Sequence, residues 1–234
     1  MTTVSDFDPG ATFAADYPQL PIPAQGRVDT SPIVLTAALD ESLNPVWAAV
    51  VPETRARRND FHLPISLAYA RRLCDAHPQA NRELVLVATL LHDTGWAHVD
   101  ESKIISDGFR GDWRKAEIRF EHERLGCAVA RRVLPSLGYS TEFINGACRI
   151  IDGHDTRPLA HSIEDALMRD ADRLWRFDTT GIAVVSGWLD MTPAAYTDRL
   201  ESEIIPELIT SAAVDMAMAD LGRSRTLLQT GILR

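Results

Sequence analysis

The sequence predicts an all-α fold, and three observations lead there. From Ser31 onward apolar residues recur at three-to-four-residue spacing in nearly every segment, and the alternation of a half-buried strand is almost absent. The chain has 234 residues, 45% of them hydrophobic, which is enough to bury one full core without disulfide staples. A helical bundle is the economical architecture. The expected organisation is an extended N-terminal arm over 1–31 and a single helical domain over 32–234, with additional C-terminal helices.

The elements come in order along the chain. Residues 1–31 are rich in Pro, Gly and Asp without sustained periodicity, so they read as an arm, extended or pinned against the body. In "SPIVLTAALDESLNPVWAAVV" Ser31 reads as an N-cap with Pro32 at the first helical position, and Pro45 divides the helix into two pieces. Helical spacing continues over 61–77, 82–95, 114–134, 141–153, 162–177 and 179–190, then through a long C-terminal region, 193–229. "GIAVVSGWL" reads as a buried helix in preference to a buried strand. Apolar residues 204–221 cover the core or form a homodimer face, with the core favoured. Two irregular stretches are long enough to line a site: 96–115, with paired glycines, mixed charge and three aromatics, and 153–162, where Gly153 and Pro158 interrupt the helices.

Composition narrows the function. The net charge of −9 disfavours a nucleic acid polymer or an anionic membrane as partner. No basic leader precedes an apolar run, and no stretch of about 18 apolar residues occurs. Cys74, Cys127 and Cys148 are odd in number, lack CxxC spacing and lie in helical, apolar segments, so they read as reduced core thiols of a cytoplasmic chain. Only Lys103 and Lys115 among the 24 basic residues are lysines, an arginine bias that suits phosphate contacts but also follows from codon composition.

The chemistry gathers at "VATLLHDTGWAHVDE". His92 and Asp93 close an apolar run that must be buried, and a buried His and Asp are costly unless paired or bound to a cation. Adjacent residues on a helix diverge by about 100°, so both reach one ion only if the helix ends there, and Thr94-Gly95 supplies the break. His62, His122 and His154 lie in or at the end of other helices, and Asp172 in a further one, so all can converge inside a bundle. Each also has a plainer reading. His62 and His154 taken singly read as satisfied polar groups, Glu121 and Glu123 give His122 the look of an exposed charged face, and Asp172 can pair with Arg169 or Arg176 across a turn.

The order of His62, His92-Asp93 within "ATLLHDTGW" and Asp172 within "RDADRL" closely resembles the HD-domain superfamily of metal-dependent phosphohydrolases, over about residues 58–190. The resemblance implies an HD-domain helical bundle in which His62, His92, Asp93 and Asp172 ligate a divalent metal. It also implies that Asp170 holds a ligand histidine or an arginine in place. His122 and His154 match, in order, the histidines that members with two metals add, giving a binuclear centre bridged by Asp93. The doublet departs from the family in being followed by Thr94-Gly95-Trp96, where a polar residue commonly follows the glycine. No GYP signature marks a cyclic dinucleotide phosphodiesterase.

Such ligands suit Fe, Mn, Co, Ni or Zn, one or two ions per chain. A small phosphorylated substrate, a nucleotide or another phosphate ester, needs positive charge around it. Arg58, Arg110, Arg114, Lys115 and Arg176 are the candidates to bind it, with Arg173 beside the last ligand assigned, like Asp93 and Asp170, to the catalytic set. The six-ligand set also resembles that of HD-domain oxygenases with a mixed-valence di-iron centre, which is the alternative activity. A degenerate, ligand-sensing HD domain is disfavoured by the intact metal residues.

Overall fold

The computed structural model describes residues 21–34, 41–100, 103–104 and 116–231. Nine α-helices are found among them: α1 (Asn44–Val50), α2 (Asn59–Ala76), α3 (Arg82–Leu91), α4 (Glu117–Val133), α5 (Thr141–Ile151), α6 (Ile163–Leu174), α7 (Thr179–Trp188), α8 (Pro193–Arg199) and α9 (Ser211–Gln229). The only β feature among the described residues is one isolated bridge.

Local chemistry sets where the helices begin. The side chains of Asn81, Ser140, Ser162, Asp178, Thr192 and Thr210 each accept a backbone N–H from the first turn of α3, α5, α6, α7, α8 and α9. The piece expected before Pro45 falls largely on residues 35–40, outside the described residues, and a 3-10 turn, Glu41–Leu43, leads into α1. Pro45 occupies the first turn of α1, where its missing N–H costs nothing. Ser31 is not an N-cap: residues 31–34 are not helical, and Arg72 of α2 binds the Ser31 hydroxyl and the Ser31 and Pro32 carbonyls.

Helix α3 is the axis of the bundle. Val85 to Leu91 are all buried, so the helix is enclosed on every side, with α2, α4, α5 and α6 as neighbours. Helix α9 closes the same core through Ala212, Ala213, Met216, Ala217 and Leu221, and the Tyr69 hydroxyl of α2 donates to Asp220 across 2.8 Å. The apolar 204–221 segment therefore covers the core. The described part of the arm is pinned. Ile22 bridges Ile209 and Ser211 through its N–H and carbonyl at 2.8 and 2.9 Å, and the Gln25 and Gly26 amides bond to the Ala76 carbonyl. No helix among the described residues is long and apolar enough to cross a membrane.

Candidate metal centre

Helix α3 stops at Leu91, and the chain leaves helical geometry at Asp93 (φ −100°, ψ 4°) before a 3-10 segment, Thr94–His98. The Thr94 hydroxyl donates to the Leu91 carbonyl at 2.7 Å, satisfying one of the helix's terminal acceptors. That exit turns His92 and Asp93 toward a single point. Gly95 is required for a different reason: a Cβ there would stand 1.9 Å from the His122 carbonyl oxygen and 2.6 Å from the Gly126 nitrogen. Its absence lets the 3-10 segment lie directly on α4, which brings His122 to Asp93.

Asp93 presents one oxygen to each of two histidine pairs. Its Oδ2 lies 3.3 Å from His62 Nδ1 and 3.8 Å from His92 Nε2, and its Oδ1 lies 3.5 Å from the Nε2 atoms of both His122 and His154. Two triads result, His62–His92–Asp93 and Asp93–His122–His154, each with ligand atoms close enough to surround one ion. Asp172 Oδ1 joins the first at 3.1 Å from His62 Nε2 and 3.4 Å from His92 Nε2.

The residues fit a divalent transition metal. Both nitrogens of His62 and the Nε2 of His92 are buried without a hydrogen-bond partner, a costly arrangement in a neutral core and the expected one for nitrogens aimed at an ion. Burial lowers His62 to about 4, so its ring is in the neutral, ligating form at physiological pH. Burial alone would raise the Asp93 carboxyl, but the Arg57 guanidinium and the imidazoles hold it well below the usual carboxylate range. His92 Nδ1 and His154 Nδ1 face the Thr89 and Ile151 carbonyls at 2.8 and 2.7 Å, which turns each Nε2 inward.

Trp96 resolves the departure after the doublet. Its ring stacks on His122 with centroids 4.0 Å apart, and its Nε1–H donates to Asp93 Oδ1 at 2.9 Å. The polar function at this position is thus an indole N–H aimed back at the shared carboxylate.

Arg57 is a functional residue that the sequence did not disclose. It and Arg58 both take left-handed backbone angles (φ 52° and 56°), strained for residues with a Cβ. The bend drives Arg57 inward, where it donates to Asp93 Oδ2 at 2.6 Å. Arg58 turns outward instead, half-exposed, and pairs with Asp60, so it does not face the centre as expected.

A second cation supports the other half. Arg119, one turn before His122 on α4, pairs at 2.5 Å with Asp155, whose side chain is 8% exposed, and Asp155 Oδ2 lies 3.7 and 3.8 Å from His122 and His154 Nε2. Glu123 is buried, contrary to the charged-face reading of "FEHERLG", and accepts the Asp155 and Thr156 amides at 2.8 and 3.1 Å. Only Glu121 of that pair faces solvent.

The remaining candidates separate. Among the described residues, Asp170 bonds to neither a histidine nor an arginine. Its carboxylate accepts the Ile209 and Thr210 amides and the Thr210 hydroxyl at 2.7–2.9 Å, anchoring the segment before α9, and burial pushes it up to about 6 against those donors. Arg169 pairs with Asp165, leaving Asp172 to face the histidines. Arg173 reaches Glu207 at 3.5 Å and the Arg169 carbonyl at 3.1 Å, on the rim of a cavity. Arg110, Arg114 and Lys115 lie outside the described residues.

That cavity opens beside the metal triads. Arg57, Arg119, Asp155, Asp172 and Arg176 form its floor, and Val185, Trp188, Leu189, Tyr196 and Ile204 form an apolar wall. Arg176 touches the cavity and makes no hydrogen bond or close ion pair with a described residue. Burial would lower its pKa, yet nearby Asp172 raises it, so the charge is secure.

An enclosed helical bundle that converges four histidines and two aspartates on one point is the scaffold of a metal-binding domain. Residues 62–176 match the family model of the HD domain, and the chain carries that domain. A crystal structure described as a predicted HD superfamily hydrolase, from an uncultured Thermotogales bacterium, has the same fold. It is 18% identical with a TM-score of 0.53, over 81% of this chain and 91% of the other. None of the curated proteins matches the chain significantly.

Proposed function

We propose that the protein is a metal-dependent phosphohydrolase acting on a small phosphate ester. The observation that carries this reading is Asp93, one carboxylate shared by two histidine pairs, beside a cavity floored by an uncommitted guanidinium. His62, His92, Asp93 and Asp172 would hold one ion and Asp93, His122 and His154 a second. A bound Fe, Mn, Co, Ni or Zn ion supplies Lewis acidity toward a phosphoryl oxygen and lowers the pKa of water toward neutrality.

The chain's own residues do the rest. Arg57 and Trp96 fix both oxygens of Asp93. Arg176 offers the anion a charge that no carboxylate of the described residues holds within ion-pair distance, whereas Arg57, Arg119, Arg173 and Arg199 are each committed to one. A single such cation among the described residues matches one phosphoryl group better than a polyphosphate chain. The wall of Trp188, Tyr196, Leu189 and Ile204 suits an apolar or flat organic part, whose burial favours binding.

The HD hydrolase description of the structural neighbour agrees with the chemistry. The buried, free thiols fit a reducing, cytoplasmic setting. The second reading, a di-iron oxygenase, is favoured by the two histidines on each side of Asp93. Release of inorganic phosphate from aryl, sugar and nucleoside phosphates by manganese-, cobalt- or iron-loaded protein tests the choice. Phosphate release lost in Asp93→Ala supports hydrolysis. Oxygen uptake by the iron form, with no phosphate from any ester, would establish the oxygenase instead.

A further inference from the structure

A second chemically equipped feature lies on the seam between α4 and α5, outside the metal centre. Cys127 of α4 and Cys148 of α5 face each other there: Cys127 Sγ lies 3.4 Å from the Cys148 carbonyl oxygen and Cys148 Sγ 3.7 Å from the Cys127 carbonyl oxygen. Each sulfur rests against the other residue's backbone, a reciprocal crossing that sets the two side chains next to each other. Both are free thiols.

Both residues are buried, 4% exposed each, so a reagent must come through the cavity beside them. Both sulfur-bearing residues line a surface cavity whose other walls include Arg124, Arg131, Arg149 and Asp152. Three guanidiniums against one carboxylate make this a locally cationic place on a chain of net charge −9. Arg124 and Arg131 are exposed and form no ion pair with a described residue. A cationic surround favours thiolate, the attacking form. Consistently, the Cys127 thiol, with help from Arg131, holds Cys148 below the ordinary thiol value against burial, while Cys127 is raised in turn. Cys74, equally buried but away from this cavity, is pushed up by burial to about 12.

We propose that Cys127 and Cys148 are a reactive dithiol that exchanges with small disulfides bearing carboxylates, held by the arginines, and closes into an intramolecular disulfide. The Cys148 thiolate attacks one sulfur of the small disulfide, whose S–S bond breaks and releases one small thiolate. The resulting mixed disulfide is attacked by the Cys127 sulfur as its proton leaves to solvent, and the second small thiolate departs. Two cysteine thiols are oxidised to one disulfide, and the incoming disulfide is reduced to two thiols that take up the two protons. The bond would tie α4, which carries His122, to α5, which runs into His154.

The test uses the reduced full-length protein, with glutathione disulfide as the anionic probe and hydroxyethyl disulfide as the neutral one. Remaining thiols are alkylated and peptides mapped by mass spectrometry. The expected result is a Cys127–Cys148 disulfide with Cys74 still alkylated, formed about tenfold faster with the anionic probe at low ionic strength. Arg131→Ala or added salt should erase most of that advantage. Cys127→Ser should stop at one glutathione adduct on Cys148, and Cys148→Ser should leave Cys127 reduced. Alkylation of all three cysteines after exposure, reaction of Cys74 at the same rate, or equal rates for the two probes would each overturn the proposal, and all three can be read on the unmutated chain.

Discussion

Gly95→Ala is the most demanding test of how the centre is built. The added methyl would stand 1.9 Å from the His122 carbonyl oxygen, 2.6 Å from the Gly126 nitrogen and 2.8 Å from the His122 carbonyl carbon, all backbone atoms that cannot rotate away. Relief requires the 3-10 segment and α4 to part by more than an ångström, where ordinary contact begins near 3.4 Å. Forcing a methyl into a packed interface costs typically 1–3 kcal/mol, and rigid neighbours put this case at the upper end. About 3 kcal/mol corresponds to a fall in Tm of roughly 6–12 °C for a chain of this size. The same separation moves His122 from Asp93, so binding at the His122–His154 half weakens while the His62–His92 half is retained. Thermal unfolding and metal titration read both effects, with Gly187→Ala as the control, since nothing lies within 4 Å of a methyl there. If Gly95→Ala melts with the wild type and keeps its full metal content, the close approach of 94–98 to α4 is not what places His122.

Three further outcomes rest on the same geometry. Arg176→Met should lower kcat/KM for a phosphate ester by roughly ten- to a hundredfold, the worth of one charge-assisted contact, without loss of bound metal. Trp96→Phe keeps a ring on His122 but deletes the N–H donor to Asp93 Oδ1, and metal affinity should fall about 10–100-fold in equilibrium titration. Acid sensitivity should report Asp165, which is buried. Burial raises its carboxyl, but His161, Arg169 and Arg157 outweigh that and bring it from 3.8 down to about 2. A depressed carboxyl contributes stability that is present above pH 4 and disappears as pH falls through 2, roughly 2 kcal/mol. Asp165→Asn should remove that part of the acid-unfolding curve.

Much of the fold and the centre was legible in the sequence, for physical reasons that differ by residue. The His92-Asp93 pair stood out because an apolar run leaves its terminal polar residues no route to water, and the helix period converged His62, His122, His154 and Asp172. Glu123 misled because charge alone does not define a face: one residue rotates a helix by about 100°, which puts Glu121 in solvent and His122 and Glu123 inside. Arg57 was hidden because only two consecutive left-handed residues turn it, and not Arg58, toward Asp93, and no local pattern encodes that bend. Asp155 left a signal that went unread, since His154-Asp155 is a second His-Asp doublet. Asp170 was assigned to the centre by the family resemblance, yet two residues along a helix point to different sides from Asp172, and it anchors residues 209–210 instead.

At the heart of the proposed centre, one carboxylate, Asp93, would join two metal sites. Anaerobic metal titration with direct counting of bound ions tests this for the wild type, His122→Ala and Asp93→Ala. The proposal predicts two ions per chain for the wild type, one for His122→Ala and neither held tightly by Asp93→Ala. A wild type saturating at one ion, or an Asp93→Ala variant that still binds two, would contradict it.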